Sequence, residues 1–217
     1  MDRVALFDVD NTLLDNDAAK IYLDELLEEH VSVSIREKFW NLYDRVREEE
    51  QVVDFPAVAR QLERSDPASA RTIQDLLWGL PYGDFLYPSA IDVLNALTRH
   101  ATTVILSDGD HEFQPHKLRQ AGLWDAVSGR VVLTTHKEEE FYRVLERFPA
   151  SVYALVDDKV AILGSLKQRI PDRLVTVWVR QGHYAAVPPS VSAPQPDFTV
   201  AHIRQLLDLA EVLFAGH

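Results

Sequence analysis

The sequence predicts an α/β fold, a doubly wound parallel sheet with a separate helical insert, on three observations. Short apolar runs rich in β-branched residues recur along the chain, helical patterns lie between most of them, and one long interval carries helical patterns without a convincing strand. The first run, residues 4–7, begins too soon after Met1 and stops too abruptly at Asp8 to be a helix, so it reads as a buried strand. Further runs at 103–106, 130–133, 152–156 and 174–179 are apolar on both faces, as in a sheet covered on both sides. Helical patterns follow at 88–100 with proline at the start, at 115–121 closed by Gly122, at 137–147 and at 160–169. Residues 187–196 contain several prolines and read as a loop, and 203–214 read as a closing helix.

Residues 15–87 break the alternation and read as the insert, leaving 1–14 and 88–217 as the core. Ile35, Phe39, Leu42, Tyr43 and Val46 form one stripe of an amphipathic helix, with Arg36, Glu37, Arg45 and Arg47 elsewhere. Leu76, Leu77 and Trp78 end another helix before Gly79 and Pro81. The aromatics Phe39, Trp40, Tyr43, Phe55 and Trp78 read as core of the insert.

Composition narrows the function. The chain has 217 residues, 47% hydrophobic and 26% charged, enough for a buried core without covalent staples. With 22 Lys+Arg against 34 Asp+Glu the net charge is −12, a field that repels nucleic acid and anionic membranes. The absence of cysteine removes disulfides, thiolate metal sites and thiol nucleophiles, as suits a cytoplasmic protein. No apolar run approaches the ~20 residues of a membrane span, and the run ending at Asp8 is too short for a secretory leader.

Chemistry concentrates where strands end. In Phe7-Asp8-Val9-Asp10-Asn11-Thr12 the period-two alternation of extended chain sends Asp8 and Asp10 to the same side. Two carboxylates about 4 Å apart repel by roughly 4 kcal/mol at an effective dielectric of 20, so the pair needs a cation, a shared proton or both. The plainer alternative is an acidic turn bonded to its own backbone. Asp157 and Asp158 follow another strand, where an open parallel sheet has its ligand crevice, and their oxygens suit magnesium; equally, one of them caps the helix starting near Val160. Ser107 ends a third strand, and the Asp108-Gly109 turn beyond it offers backbone N–H groups for a phosphate oxygen. Lys137 follows a fourth strand and offers a compact positive charge. His111, His116 and His136 read as surface residues, and Arg180 to Tyr184 as a glycine turn near the crevice rim.

These four elements, Asp8-Val9-Asp10-Asn11-Thr12, Ser107, Lys137 and Asp157-Asp158, stand in the order found in the haloacid dehalogenase-like superfamily, which the sequence resembles. The resemblance implies a Rossmann-like core, a helical cap over residues 15–87, and a magnesium-dependent phosphatase acting on a small phosphorylated metabolite. On that reading Asp8 is the nucleophile and Asp10 the general acid and base, in surroundings that hold its proton at the start. Ser107, Asp108, Gly109 and Lys137 bind the phosphate. Magnesium is held by Asp8, the Asp10 carbonyl and Asp158, with Asp157 as ligand or support. Asp10 separates the sequence from the dehalogenase branch, which is expected to lack a carboxylate two residues after its nucleophile. The alternatives are a sugar-phosphate mutase on the same core, and a phosphoacceptor or binding module without turnover, against which the order of the motifs speaks.

Overall fold

The computed structural model describes residues 2–50, 55–186 and 194–215. The loop expected at 187–196 therefore falls, over 187–193, outside the described residues. In chain order the elements are β1 (Arg3–Phe7), α1 (Asn16–His30), α2 (Val33–Glu50), α3 (Phe55–Glu63), α4 (Pro67–Gly79), α5 (Ala90–Leu97), β2 (Thr102–Asp108), α6 (Phe113–Gln120), α7 (Leu123–Ala126), β3 (Val131–Thr134), α8 (Lys137–Glu140), α9 (Tyr142–Arg147), β4 (Val152–Asp157), α10 (Val160–Arg169), β5 (Leu174–Val179), β6 (Phe198–Val200) and α11 (Leu206–Leu209).

All strand pairs are parallel and the sheet order is β3-β2-β1-β4-β5-β6, so the order reverses beside β1, between β2 and β4. In such sheets that reversal opens a crevice beyond the carboxyl ends of the strands. Side-chain alternation divides the core into two. Ala5, Phe7, Ile105, Ala154, Val156 and Val177 belong to one cluster, whereas Val4, Leu6, Val104, Leu106, Tyr153 and Leu155 belong to the other, with Val160, Leu163 and Leu166 of α10. The strands are buried on both faces, which is why they read as continuous apolar runs.

Two sequence expectations change, and one strand is additional to those expected. The helix expected at 137–147 forms α8 and α9, separated by a turn at Phe141 that keeps right-handed helical dihedrals. The closing helix is shorter: a 3₁₀ turn at Ile203–Gln205 leads into α11, and turns follow. Strand β6 has only three residues, too few for periodicity to reveal. It is set in place by Asp197, whose carboxylate accepts the Thr176 N–H (2.8 Å) and hydroxyl (2.9 Å) from β5.

Helices α1 to α4 all lie between β1 and β2. The chain leaves and returns through one narrow pairing: Asp15 N–H donates to the Phe85 carbonyl (2.8 Å) and Tyr87 N–H to that of Leu13 (3.0 Å). Asp15 caps α1 by accepting the Ala18 N–H at 2.9 Å, and Asp66 caps α4 ahead of Pro67. The helical segment meets the core around Phe113, whose ring lies within about 6 Å of those of Phe55 (6.0 Å), Trp78 (5.8 Å) and Tyr82 (5.9 Å). No helix among the described residues is long and apolar enough to cross a membrane.

Candidate active site

The segment after β1 folds back on itself at the crevice. The N–H groups of Thr12, Leu13 and Leu14 converge on the Val9 carbonyl, at 3.2, 2.9 and 2.9 Å, and Asn11 takes the left-handed conformation (φ 62°) that asparagine tolerates. This turn returns the Thr12 hydroxyl to Asp8, where it donates to Oδ2 at 3.0 Å, while Thr12 Oγ1 itself accepts the Asp158 N–H at 3.0 Å. One threonine thus ties the end of β1 to the end of β4. Asn11 Oδ1 accepts the first N–H groups of α1, from Asn16 (3.0 Å) and Asp17 (3.3 Å), so the turn also anchors the helical segment. Gly182, with φ 62°, passes so close that a Cβ there would lie 2.5 Å from the Asn11 side chain. Only glycine meets both demands.

Lys137 is buried at the floor of the site. Its Nζ donates to Asp8 Oδ1 and, at 2.9 Å, to Asp157 Oδ2; Asp157 Oδ1 accepts the Lys159 N–H at 2.8 Å. Both Asp157 oxygens are therefore engaged. Asp158 is 1% exposed and neither of its carboxylate oxygens has a partner among the described residues. Oxygens of Asp8, Asp157 and Asp158 all lie within 4.8 Å of one another. Burial raises the Asp8 carboxyl to about 6, against the pull of Lys137 and with the push of Asp157. Burial, reinforced by Asp8 and Asp157, raises Asp158 to about 9. Burial also works against the Lys137 charge, but Asp157 and Asp8 outweigh it and hold the ammonium well above the ordinary lysine value.

Three buried carboxylates against the ammonium groups of Lys137 and Lys159 leave negative charge incompletely compensated, and an unpartnered carboxylate in a buried position is costly. A hard divalent cation with oxygen ligands suits this donor set. The pH dependence follows from the raised values. Asp8 and Asp158 favour the folded state while protonated, an advantage complete below about pH 4 and lost as pH rises through about 6 and about 9. Without divalent cations the melting temperature should fall from pH 6 to pH 9. Asp158→Asn should raise it by a few degrees at pH 8, since about 1 kcal/mol shifts a domain of this size by 2–4 °C, and should remove any stabilisation by magnesium. A variant that melts lower at pH 8, or that magnesium still stabilises as it does the wild type, would contradict this account of the site.

Asp10 points elsewhere. Its Oδ1 pairs with Lys117 of α6, a lysine only 3% exposed whose Nζ also donates to Asn16 Oδ1 at 2.9 Å. Asp10 is thus held by a buried ammonium. Ser107 is buried with its Oγ accepting Gln114 Nε2 at 2.8 Å, and Asp108 Oδ1 accepts the Thr134 hydroxyl at 2.7 Å. Gly109 is a correction: its N–H already donates to the Thr134 carbonyl at 3.0 Å, continuing the β2–β3 pairing, and is not free for a phosphate oxygen. Asp157 and Asp158 do not cap α10 with a side chain across the Lys159 N-cap; Asp157 instead accepts the N–H of Lys159 itself.

These groups open into a cleft of about 840 Å³ between the sheet end and α1–α2, lined among others by Asp8, Asp10, Asp158, Lys117, Lys159 and Tyr43. His136 lines it as well, and His183 joins it from the glycine turn, with Nδ1 2.9 Å from Asp17 Oδ1 and 3.1 Å from Asn11 Nδ2. His111 is exposed, and His116 Nε2 lies 2.8 Å from the Trp78 carbonyl. Lys117 is the residue that sequence reasoning missed. Phe113, Gln114, Lys117 and Leu118 form a buried stripe of α6, and a lysine in such a stripe is the signal that marks it.

The family of haloacid dehalogenase-like hydrolases matches residues 3–168. A crystal structure of a protein from Burkholderia xenovorans LB400, described as a haloacid dehalogenase-like hydrolase, is 36% identical with a TM-score of 0.90, covering 98% of both chains. YfnB of Bacillus subtilis, a HAD-hydrolase bound to magnesium, is 20% identical with a TM-score of 0.65, over 96% of this chain and 98% of its own. The L-2-haloacid dehalogenase of Xanthobacter autotrophicus with chloropropionic acid covalently bound is 17% identical with a TM-score of 0.65, over 97% and 99%. Among curated proteins none matches.

Proposed function

The chain belongs to the haloacid dehalogenase-like hydrolases, and from that premise we propose that it is a magnesium-dependent phosphatase of small phosphomonoesters, working through an aspartyl-phosphate on Asp8. The observation that carries the reading is the Asp158 carboxylate, buried without a partner beside Asp8. Magnesium held by Asp8, Asp158 and the Asp10 carbonyl would neutralise charge on the phosphoryl oxygens and on the approaching carboxylate.

The protein's own groups supply the rest. Thr12 and Lys137 each donate to one Asp8 oxygen and fix the carboxylate, so it meets phosphorus without first reorganising. An Asp8 oxygen bonds to phosphorus as the ester P–O bond breaks, and the leaving oxygen takes a proton from the Asp10–Lys117 pair. Water then attacks the aspartyl-phosphate, Asp10 receives its proton, and inorganic phosphate leaves with Asp8 restored. Lys137 offsets the repulsion between two anions in both steps.

A second reading, displacement of halide from a 2-haloacid, is favoured by the fold likeness to L-2-haloacid dehalogenases. Asp10 at the cleft and the unpartnered Asp158 support the phosphatase instead. With a generic aryl phosphate as substrate, we expect phosphate release that a chelator abolishes and added magnesium restores. Release unaffected by chelation, or no release beside halide release from 2-chloropropionate, would overturn the proposal.

A further inference from the structure

The cleft carries a further set of polar groups on α1 and α2. Tyr43 and Arg47 stand one turn apart on α2, Asn16 and Lys20 one turn apart on α1, and all four line the cleft. The Tyr43 hydroxyl is buried, the residue being 4% exposed, yet has no hydrogen-bond partner among the described residues. A buried hydroxyl left unpaired is costly unless a ligand completes it. Lys20 places its ammonium 5.2 Å from the centre of the Tyr43 ring, and among the described residues no carboxylate pairs with it. Arg47 donates to the Tyr184 hydroxyl at 2.9 Å and likewise pairs with no carboxylate among the described residues. The acidic residues of α2 at the cleft, Asp44 and Glu48, are exposed, whereas Tyr43 is turned inward. Burial lowers the Lys20 ammonium, against the pull of Asp17 and Asp10 and with the push of Arg47.

Resting on the phosphatase reading, we infer that Lys20, Tyr43 and Arg47 form a subsite for a second anionic group of the substrate, a carboxylate or a phosphate remote from the phosphoryl group being cleaved. The position fits a short molecule. Lys117 bridges Asp10 and Asn16, and Lys20 lies one helical turn, about 5.4 Å, beyond Asn16. The two cations attract the anion while the Tyr43 hydroxyl donates to it, and the ligand in turn satisfies that hydroxyl.

Three three-carbon probes separate the possibilities: 3-phosphoglycerate with a carboxylate, propane-1,3-diol bisphosphate with a second phosphate, and glycerol 3-phosphate with neutral hydroxyls. In the wild type, kcat/KM for at least one of the two probes that carry a second anionic group should exceed that for glycerol 3-phosphate by about 10-fold or more, the scale of a charge-assisted hydrogen bond. Which one leads identifies the anion. Lys20→Gln and Arg47→Gln should each reduce that preference toward unity, and Tyr43→Phe should raise KM for the preferred probe more than it lowers kcat. Equal kcat/KM for all three in the wild type would overturn the subsite and leave the phosphatase reading standing. Variants that depress every probe alike, preserving the ratio, would also overturn it. No hydrolysis of any probe or of an aryl phosphate would instead overturn the reading on which the subsite rests.

Discussion

Asp8→Asn is expected to reduce phosphate release by roughly 10⁴-fold or more, the scale on which loss of a catalytic nucleophile is felt. The substitution keeps the side-chain volume and allows the Thr12 contact, so the fold should persist. What disappears is the anionic oxygen and one of the three carboxylates around the proposed cation. The two losses act together, because an amide neither displaces an alkoxide from phosphorus nor binds magnesium as a carboxylate does. Steady-state assays with an aryl phosphate, together with circular dichroism to verify folding, measure the effect. A variant that is folded and retains a tenth of wild-type turnover would show that another group attacks phosphorus.

Lys137→Met should be the most destabilising single change in the site. The side chain is 1% exposed and its ammonium is the shared donor to Asp8 and Asp157. Methionine fills much of the volume but leaves two buried carboxylates without their counter-charge, and removing one partner of a buried pair costs about 3–5 kcal/mol. For a chain of this size that corresponds to roughly 10 °C or more in melting temperature. The sign of its pH dependence is fixed by the same electrostatics. Without the ammonium the carboxylates hold their protons more tightly in the folded state, so the deficit should be greatest near pH 8 and shrink as pH falls toward 5. Thermal melts of both proteins at the two pH values measure it. A deficit that does not change with pH would mean that packing, and not charge, is what Lys137 supplies.

The strands were legible because burial on both faces leaves continuous β-branched runs. Residues 4–7, 152–156 and 174–179 fall within or on the observed β1, β4 and β5, and α10 begins and ends where its pattern does. The site was legible in outline for a related reason: its acidic residues follow those runs directly, so naming the strand ends also names Asp8 and Asp158. Three features were not. Strand β6 depends on a long-range bond between Asp197 and Thr176, which no local pattern encodes. The Asp10–Lys117 pair joins residues 107 positions apart, and Lys117 announces itself only as a lysine within an otherwise buried stripe. The role of Gly109 was misread because a turn sequence does not reveal whether its N–H is already spent in the sheet. Tyr43 shows the opposite limit: its stripe correctly marks it as buried, but burial alone does not reveal that this cleft-lining residue has a hydroxyl without a partner among the described residues.

The account stands most directly on what becomes attached to Asp8. Acid-quenching the wild-type protein during turnover, reducing acyl phosphates with borohydride and sequencing the peptide around residue 8 by mass spectrometry should place the modification on Asp8, dependent on magnesium and absent from Asp8→Asn. A carbon ester on Asp8 formed from a 2-haloacid, with no phosphoryl adduct under any metal condition, would contradict it.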